Sequence, residues 1–138
     1  MPSKKDLDRF RGEIGESIVV YELLKRKWNV FRNAGGHGFD LLASSEDNRV
    51  QRRIEVKATD PALKTGKTKN QLTVVLSPAE LVAADFCVFY IHGYNTFFII
   101  PNTKFPSGGS ITVNIGRDGK ISSGSMFEPW RDRWDSLR

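Results

Sequence analysis

The stretch FDLLASSEDNRVQRRIEVKAT, residues 39–59, reads as two β-strands joined by a turn. Side chains alternate between the two faces of a strand. Ile54, Val56 and Ala58 therefore share one face of the second strand, and Arg53, Glu55, Lys57 and Thr59 share the other. In the first strand Phe39 and Leu41 fall on one face and Asp40 on the other. The polar run EDNR, residues 46–49, supplies the turn. With Asp47 and Asn48 as turn residues, Glu46 pairs with Arg49, and counting outward sets Asp40 directly opposite Glu55. A four-residue loop keeps that register. An odd-length loop shifts it by one and puts the two acids on different faces.

Directly opposed residues hold their Cβ atoms about 4.5–5.5 Å apart. Two carboxylates that close repel each other and weaken the hairpin unless something compensates. A divalent cation turns the repulsion into shared coordination. Carboxylate oxygens suit Mg²⁺ or Mn²⁺, which also keep several waters for chemistry. Lys57, two residues along on the same face, is within reach of such a water. The same residues also read as an ordinary solvated sheet face, and an acid–x–lysine pair alone does not separate the two. The run GGHG, residues 35–38, favours a site, because glycines let the backbone approach closely, as a phosphate-binding mouth needs.

Outward from the hairpin, residues 7–27 carry Leu7, Phe10, Ile14, Ile18, Tyr21 and Leu24 at three- and four-residue steps, which predicts a helix with one apolar stripe. WNVFRNA (28–34) reads as a short strand. DPALKTGKTKNQ (60–71) is a polar, lysine-bearing loop, and LTVVL (72–76) is strand-like. Ser77, Pro78 and Glu80 form a helix start, with Ser77 as N-cap. FCVFYIHG and TFFIIP are two apolar strands around a GYN turn. SITVNIGRDGKISSG reads as a hairpin with Asp118 and Gly119 at its tip. The tail MFEPWRDRWDSLR predicts a short amphipathic helix after Pro129, with Trp130 and Trp134 on one face, docked on the domain or on a second subunit. The order helix, strands, helix, strands gives a mixed α/β fold around a sheet.

The chain's 138 residues suit one domain spanning 1–138. A net charge of +5 leans toward an acidic partner, of which nucleic acid is the most common. The single cysteine, Cys87, excludes an internal disulfide and a Cys/His zinc framework, and reads as a small buried side chain suited to a reducing cytoplasm. The charged N-terminus has no apolar run behind it, and no stretch is long enough to span a bilayer.

GEIGESIVVYELLKRKWNVFRN (12–33), GGHGFDLLA (35–43) and IEVKAT (54–59) together resemble the PD-(D/E)XK nuclease superfamily, and within it the small archaeal and bacterial Holliday-junction-resolvase-like members. LSPAELVAADFCVFYIHGYNTFFIIP (76–101) looks like the helix and strands that complete such a core. FEPWRDRWDSLR (127–138) is more loosely similar to the tryptophan-containing end of some members. The proline that names the motif is replaced by Phe39. The resemblance implies a restriction-endonuclease-like α/β core, a central mixed sheet flanked by helices in the order αβββαβ. It implies hydrolysis of DNA phosphodiesters with Mg²⁺ or Mn²⁺. Asp40 and Glu55 would ligate the metal with the carbonyl of Val56, and Lys57 would orient the attacking water or stabilise charge on the phosphate. The glycine-then-glutamate pattern of the helix points to Glu16, which would hold a metal-bound water or a second ion, with Glu13 in reserve. A solvated helix acid is the other reading of both.

Around this set, His37 either touches the scissile phosphate or is a surface loop histidine. Gln71 matches by position a glutamine found after the glutamate–x–lysine strand, and reads equally as structural. Arg52, Arg53, Lys64, Lys67 and Lys69 would line the edge that meets backbone phosphates, or are simply solvated. The expected partners are DNA and a second copy of the chain, with no membrane and no small-molecule cofactor. Restriction or defence, junction resolution, and homing or repair all stay open. A catalytically inactive nucleic-acid-binding module and a structure-specific or RNA nuclease are the alternatives. The intact set of Glu16, Asp40, Glu55 and Lys57 favours an enzyme.

Overall fold

The computed structural model describes residues 3–34, 38–61, 70–106, 108–116, 118–122 and 127–138. The expectations for His37, Lys64, Lys67 and Lys69 fall outside them. Helix α1 spans Lys4–Lys25 and starts earlier than its apolar spacing suggests, because Ser3 and Asp6 form a capping box. The Ser3 hydroxyl accepts from the Asp6 N–H at 3.1 Å, and the Asp6 carboxylate accepts from the Ser3 N–H at 3.2 Å.

The strands β1 (Asn29–Arg32), β2 (Leu41–Ser44), β3 (Gln51–Thr59), β5 (Phe86–Ile91) and β6 (Thr96–Pro101) form one sheet in the order β1-β2-β3-β5-β6. β3 and β5 run parallel and the other pairs antiparallel, so the sheet is mixed. The parallel pair needs a crossover, and that crossover contains β4 (Gln71–Val75) and helix α2 (Pro78–Ala83). β4 does not join the central sheet. It pairs with β7 (Ser110–Ile115), which pairs with β8 (Ile121–Ser122), in a second, three-stranded sheet.

Two cores cover the two faces of the central sheet. Ile54, Val88, Tyr90 and Ile99 meet Val19 and Leu23 of α1 on one face. Phe89, Ile91, Phe98 and Ile100 meet Leu72, Ile111 and Val113 of the second sheet on the other. The strand alternation read from the sequence thus has both of its faces packed, except where Glu55 and Lys57 interrupt the second one.

The contact face of α1 differs from the predicted stripe. A Cβ at Gly15 would lie 2.6 Å from the Cβ of Ala58, so the glycine lets the helix approach β3 closely there. That approach turns Gly15, Val19, Glu22 and Leu23 inward and leaves Phe10, Ile14, Tyr21 and Leu24 exposed. The buried Glu22 is paired with Arg26 at 2.6 Å and Lys25 at 3.1 Å. Burial pushes its carboxyl up, and those two cations bring it below its usual range.

The tail is not an amphipathic helix. It forms two 3-10 turns, Glu128–Trp130 and Trp134–Leu137. Between them Asp132 adopts φ +52° and clamps the edge of β6. Its N–H donates to the Phe97 carbonyl at 2.7 Å, and its carboxylate accepts from the Phe97 N–H at 3.1 Å. Trp134 enters the α1-side core, edge-on to Phe97 at 5.1 Å, while Trp130 packs against the other core. Both tryptophans dock on the chain itself, on opposite sides of the sheet. No described helix is long and apolar enough to cross a membrane.

Candidate active site

The β2–β3 ladder runs from Ser44 opposite Gln51 to Leu41 opposite Ile54. The Ser45 N–H donates to the Val50 carbonyl at 2.8 Å, so the loop between them has four residues, with Asn48 at φ +61°. Its even length preserves the register of a two-residue turn, and the next residues outward are Asp40 and Glu55.

At Asp40 the chain leaves the ladder. Its N–H turns to the Ile54 carbonyl at 2.9 Å, its own carbonyl accepts from the Asn33 N–H at 2.9 Å, and its Oδ2 accepts from the Val56 N–H at 2.8 Å. The N–H and C=O of one strand residue point to the same neighbour. The Val56 carbonyl is therefore turned toward the same edge as the Asp40 carboxylate.

Glu55 is buried on the face opposite α1, across from Cys87 of β5. Its carboxyl is pushed up to about 9, first by burial, then by its hydrogen bond to Glu80 and by the charge and hydrogen bond of Asp40. It is therefore a neutral acid at pH 7 that shares its proton with acidic neighbours. Glu80, on α2, behaves in the opposite way. Burial pushes it up, but the Ser77 N–H, Glu55 and Lys57 together hold it down at about 2. Lys57 donates to Glu80 Oε2 at 2.9 Å and stands 3.7 Å from Glu55 Oε1. Burial pulls the Lys57 ammonium down, but Glu80 and then Glu55 more than offset this and hold it above its usual range. It is a cation throughout the neutral range, suited to orienting a water or stabilising an anion. Burial likewise pushes the Cys87 thiol up, which leaves it an unreactive packing group.

No known protein family matches the sequence, and no curated protein does. Among solved structures, a bacterial homing endonuclease, I-Ssp6803I, superposes with a TM-score of 0.73 at 22% identity, covering 99% of this chain and 92% of its own. The Holliday junction resolvase Hjc of Archaeoglobus fulgidus superposes with a TM-score of 0.55 at 18% identity, covering 75% of this chain and 83% of its own. The fold is restriction-endonuclease-like. At these identities the likeness is one of architecture.

Within the restriction-endonuclease-like fold, Asp40, Glu55, Val56 and Lys57 meet at one point, the open edge of β3 beyond the end of β2. The remaining sequence candidates lie apart from it. Glu16 is bonded to Arg32 at 2.5 Å on the α1 side of the sheet, and Glu13 is exposed on α1. Arg52 donates to the Leu137 carbonyl at 2.7 Å and so holds the tail. Arg53 is paired with Asp85 at 3.2 Å. Gln71 opens β4, exposed and opposite Asn114. The helix acid in contact with the pair is Glu80, which the sequence marks only as a capping residue. The Ser77–Pro78–Ala79–Glu80 pattern accounts for one of its oxygens, and nothing local in it says where the other points.

The donor set suits a hard cation. Among the described residues no group of three or more His, Cys, Asp or Glu side chains is arranged to hold an ion. Mg²⁺ does not require such a cage, since it takes one or two carboxylates and keeps its waters. Asp40, Glu55 and the Val56 carbonyl provide that much. The proton held on Glu55 is what a site with more acid than Lys57 can balance must retain, and a divalent cation would replace it.

Proposed function

We propose that this protein is a metal-dependent endonuclease that hydrolyses DNA phosphodiester bonds. The observation that carries the reading is the Glu55 carboxyl, buried against Asp40 and Glu80, kept neutral first by that burial and then by the two acids, and 3.7 Å from the Lys57 ammonium. Perturbed acids beside a cation at an open strand edge are the setting of a catalytic site. Mg²⁺ or Mn²⁺ held by Asp40, Glu55 and the Val56 carbonyl would supply polarisation of a phosphate oxygen and a more acidic water. Asp40 would present its carboxylate in a fixed orientation, because the Val56 N–H holds its Oδ2. Lys57 would orient the water or stabilise the charge that develops on the phosphate. Glu16 would hold a metal-bound water or a second ion, a role that requires it to leave Arg32.

The net charge of +5 and the two neighbours, a homing endonuclease and a junction resolvase, support DNA as the substrate. His37, Lys64, Lys67 and Lys69, with Gln71, Arg52 and Arg53, would meet the backbone phosphates. The whole chain, 1–138, acts as one nuclease domain in the cytoplasm. It cuts as a homodimer, since each chain carries one site and a duplex has two strands.

The test uses linear duplex, four-way junction, flap and single-stranded substrates with Mg²⁺ or Mn²⁺. The wild type is expected to cut at least one of them. Asp40→Asn, Glu55→Gln and Lys57→Ala should each lose about 10²-fold or more. Salt-sensitive binding without cleavage would instead make the chain a binding module. Wild-type rates in all three variants would remove the site assignment.

A further inference from the structure

Lys57 has two acidic neighbours, and the closer one comes from another element. Glu80 lies 23 positions along the chain, and its two oxygens do different things. Oε1 accepts the Ser77 N–H at 2.8 Å and so fixes the carboxylate to the start of α2. Oε2 accepts the Lys57 ammonium at 2.9 Å. Helix α2 is itself fixed. Gly38, at φ +84° and two residues before Asp40, lies so close to it that an added Cβ would fall 2.3 Å from the Cβ of Ala83. Asn102 Nδ2 donates to the Leu81 carbonyl at 2.8 Å. A lysine side chain has a large rotamer entropy and holds one place only when bonded there. Here the bond comes from a helix tied to the segment that carries Asp40.

We propose that Glu80 is the positioning residue for Lys57, holding its ammonium beside Glu55 but off it, so that the ammonium does not take a cation's place on Glu55. Without Glu80, the remaining acidic neighbour of Lys57 is Glu55, and an ammonium seated there competes with the metal. The consequence for metal binding rests on the endonuclease reading. The Lys57–Glu80 pairing does not.

Glu80→Gln separates the two oxygens. Its amide oxygen still accepts the Ser77 N–H, but the charge that holds Lys57 is gone, and the hydrogen bond to Glu55 changes with it, which the double variant separates. Ser77→Ala is the control, because it removes the hydroxyl that accepts the Glu80 N–H at 3.2 Å and leaves Lys57 alone. Mn²⁺ binding by calorimetry should weaken about 10-fold or more in Glu80→Gln. It should return to the level of Lys57→Ala in the double variant Glu80→Gln/Lys57→Ala, and stay unchanged in Ser77→Ala. A double variant as weak as Glu80→Gln would overturn the proposal, because Glu80 would then act on the ion without Lys57. Equal weakening in Ser77→Ala would also overturn it, since the effect would belong to the helix. If the wild type binds no Mn²⁺, the endonuclease reading fails, and the Lys57 ammonium signal in proton–nitrogen NMR decides the pairing. That signal should be the same in wild type and Ser77→Ala, and shifted or lost in Glu80→Gln. An unshifted signal in Glu80→Gln would end the proposal.

Discussion

The backbone N–H of Val56 donates to Oδ2 of Asp40 at 2.8 Å, just past the point where the β2–β3 ladder stops. A side-chain carboxylate thus takes the place of the strand carbonyl that would otherwise accept this bond. Asp40→Asn retains an acceptor and should fold within about 1 kcal/mol of wild type, whereas Asp40→Ala leaves the Val56 N–H without a protein partner and should cost about 1–3 kcal/mol. Denaturant melts of the two variants check the difference, and cleavage should be lost in both.

Glu55 gives stability a definite pH dependence. Its carboxyl is raised from 4.5 to about 9, chiefly by burial and then by Glu80 and Asp40. The native state therefore keeps a proton that the unfolded chain has shed, and stability falls as pH rises from about 4.5 toward about 9. Glu80 contributes with the opposite sign. Its carboxyl is lowered from 4.5 to about 2, so its contribution is present above 4.5 and is lost as pH falls toward about 2. Glu55→Gln in chelator should be more stable than wild type by roughly 1–3 kcal/mol at alkaline pH, with the advantage gone below pH 4.5. Thermal melts across pH measure this, and an advantage that shrank as pH rose would contradict the arrangement.

On the proposed endonuclease reading, the same carboxyl would make the wild type respond to a divalent ion. Mg²⁺ or Mn²⁺ should raise its melting temperature, by about 2.7 kcal/mol of stability at a hundredfold excess over the dissociation constant. The rise should be largely absent in Glu55→Gln and Asp40→Asn. Equal shifts in all three proteins would place the ion elsewhere.

Gly15 is required by the contact of α1 with β3. Replacing it by alanine gains about 1 kcal/mol of helix propensity but forces a Cβ to 2.6 Å from that of Ala58. Overpacking costs about 1–3 kcal/mol, so the substitution should be destabilising on balance. Ala58→Gly added to Gly15→Ala should recover part of the loss, a non-additivity that equilibrium unfolding of the single and double variants would reveal.

Trp134 and Trp130 should also differ. Trp134 is buried, edge-on to Phe97 and under the Arg26 guanidinium at 4.7 Å, so Trp134→Ala should cost about 3–5 kcal/mol. Trp130 is only partly buried, and Trp130→Ala should cost clearly less. Similar losses in urea melts would mean that the tail docks differently.

The meeting of Asp40 and Glu55 was legible because strand alternation has a period of two and a loop centred between Asp47 and Asn48, of two residues or four, gives the same register. The Ser77 capping box and the order of most strands were legible for the same reason, since each depends on residues a few positions apart. The apolar stripe of α1 was misleading. Its spacing is helical, but which face is covered depends on where Gly15 can meet Ala58, and that contact joins residues 43 positions apart. β4 reads as a strand, yet only its pairing with β7 decides that it leaves the central sheet. The tail has helical spacing too, and the Asp132 clamp on Phe97 overrides it.

By itself the sequence determined which residues alternate, which turns cap them and which two acids share a strand edge, because periodicity and turn chemistry act over a few residues. The tertiary structure alone decided that Glu80 reaches Lys57 and that Glu16 is joined to Arg32. A long side chain on a helix can point to several neighbours, and only the packing of Gly38 on α2 and of Gly15 on β3 selects one of them.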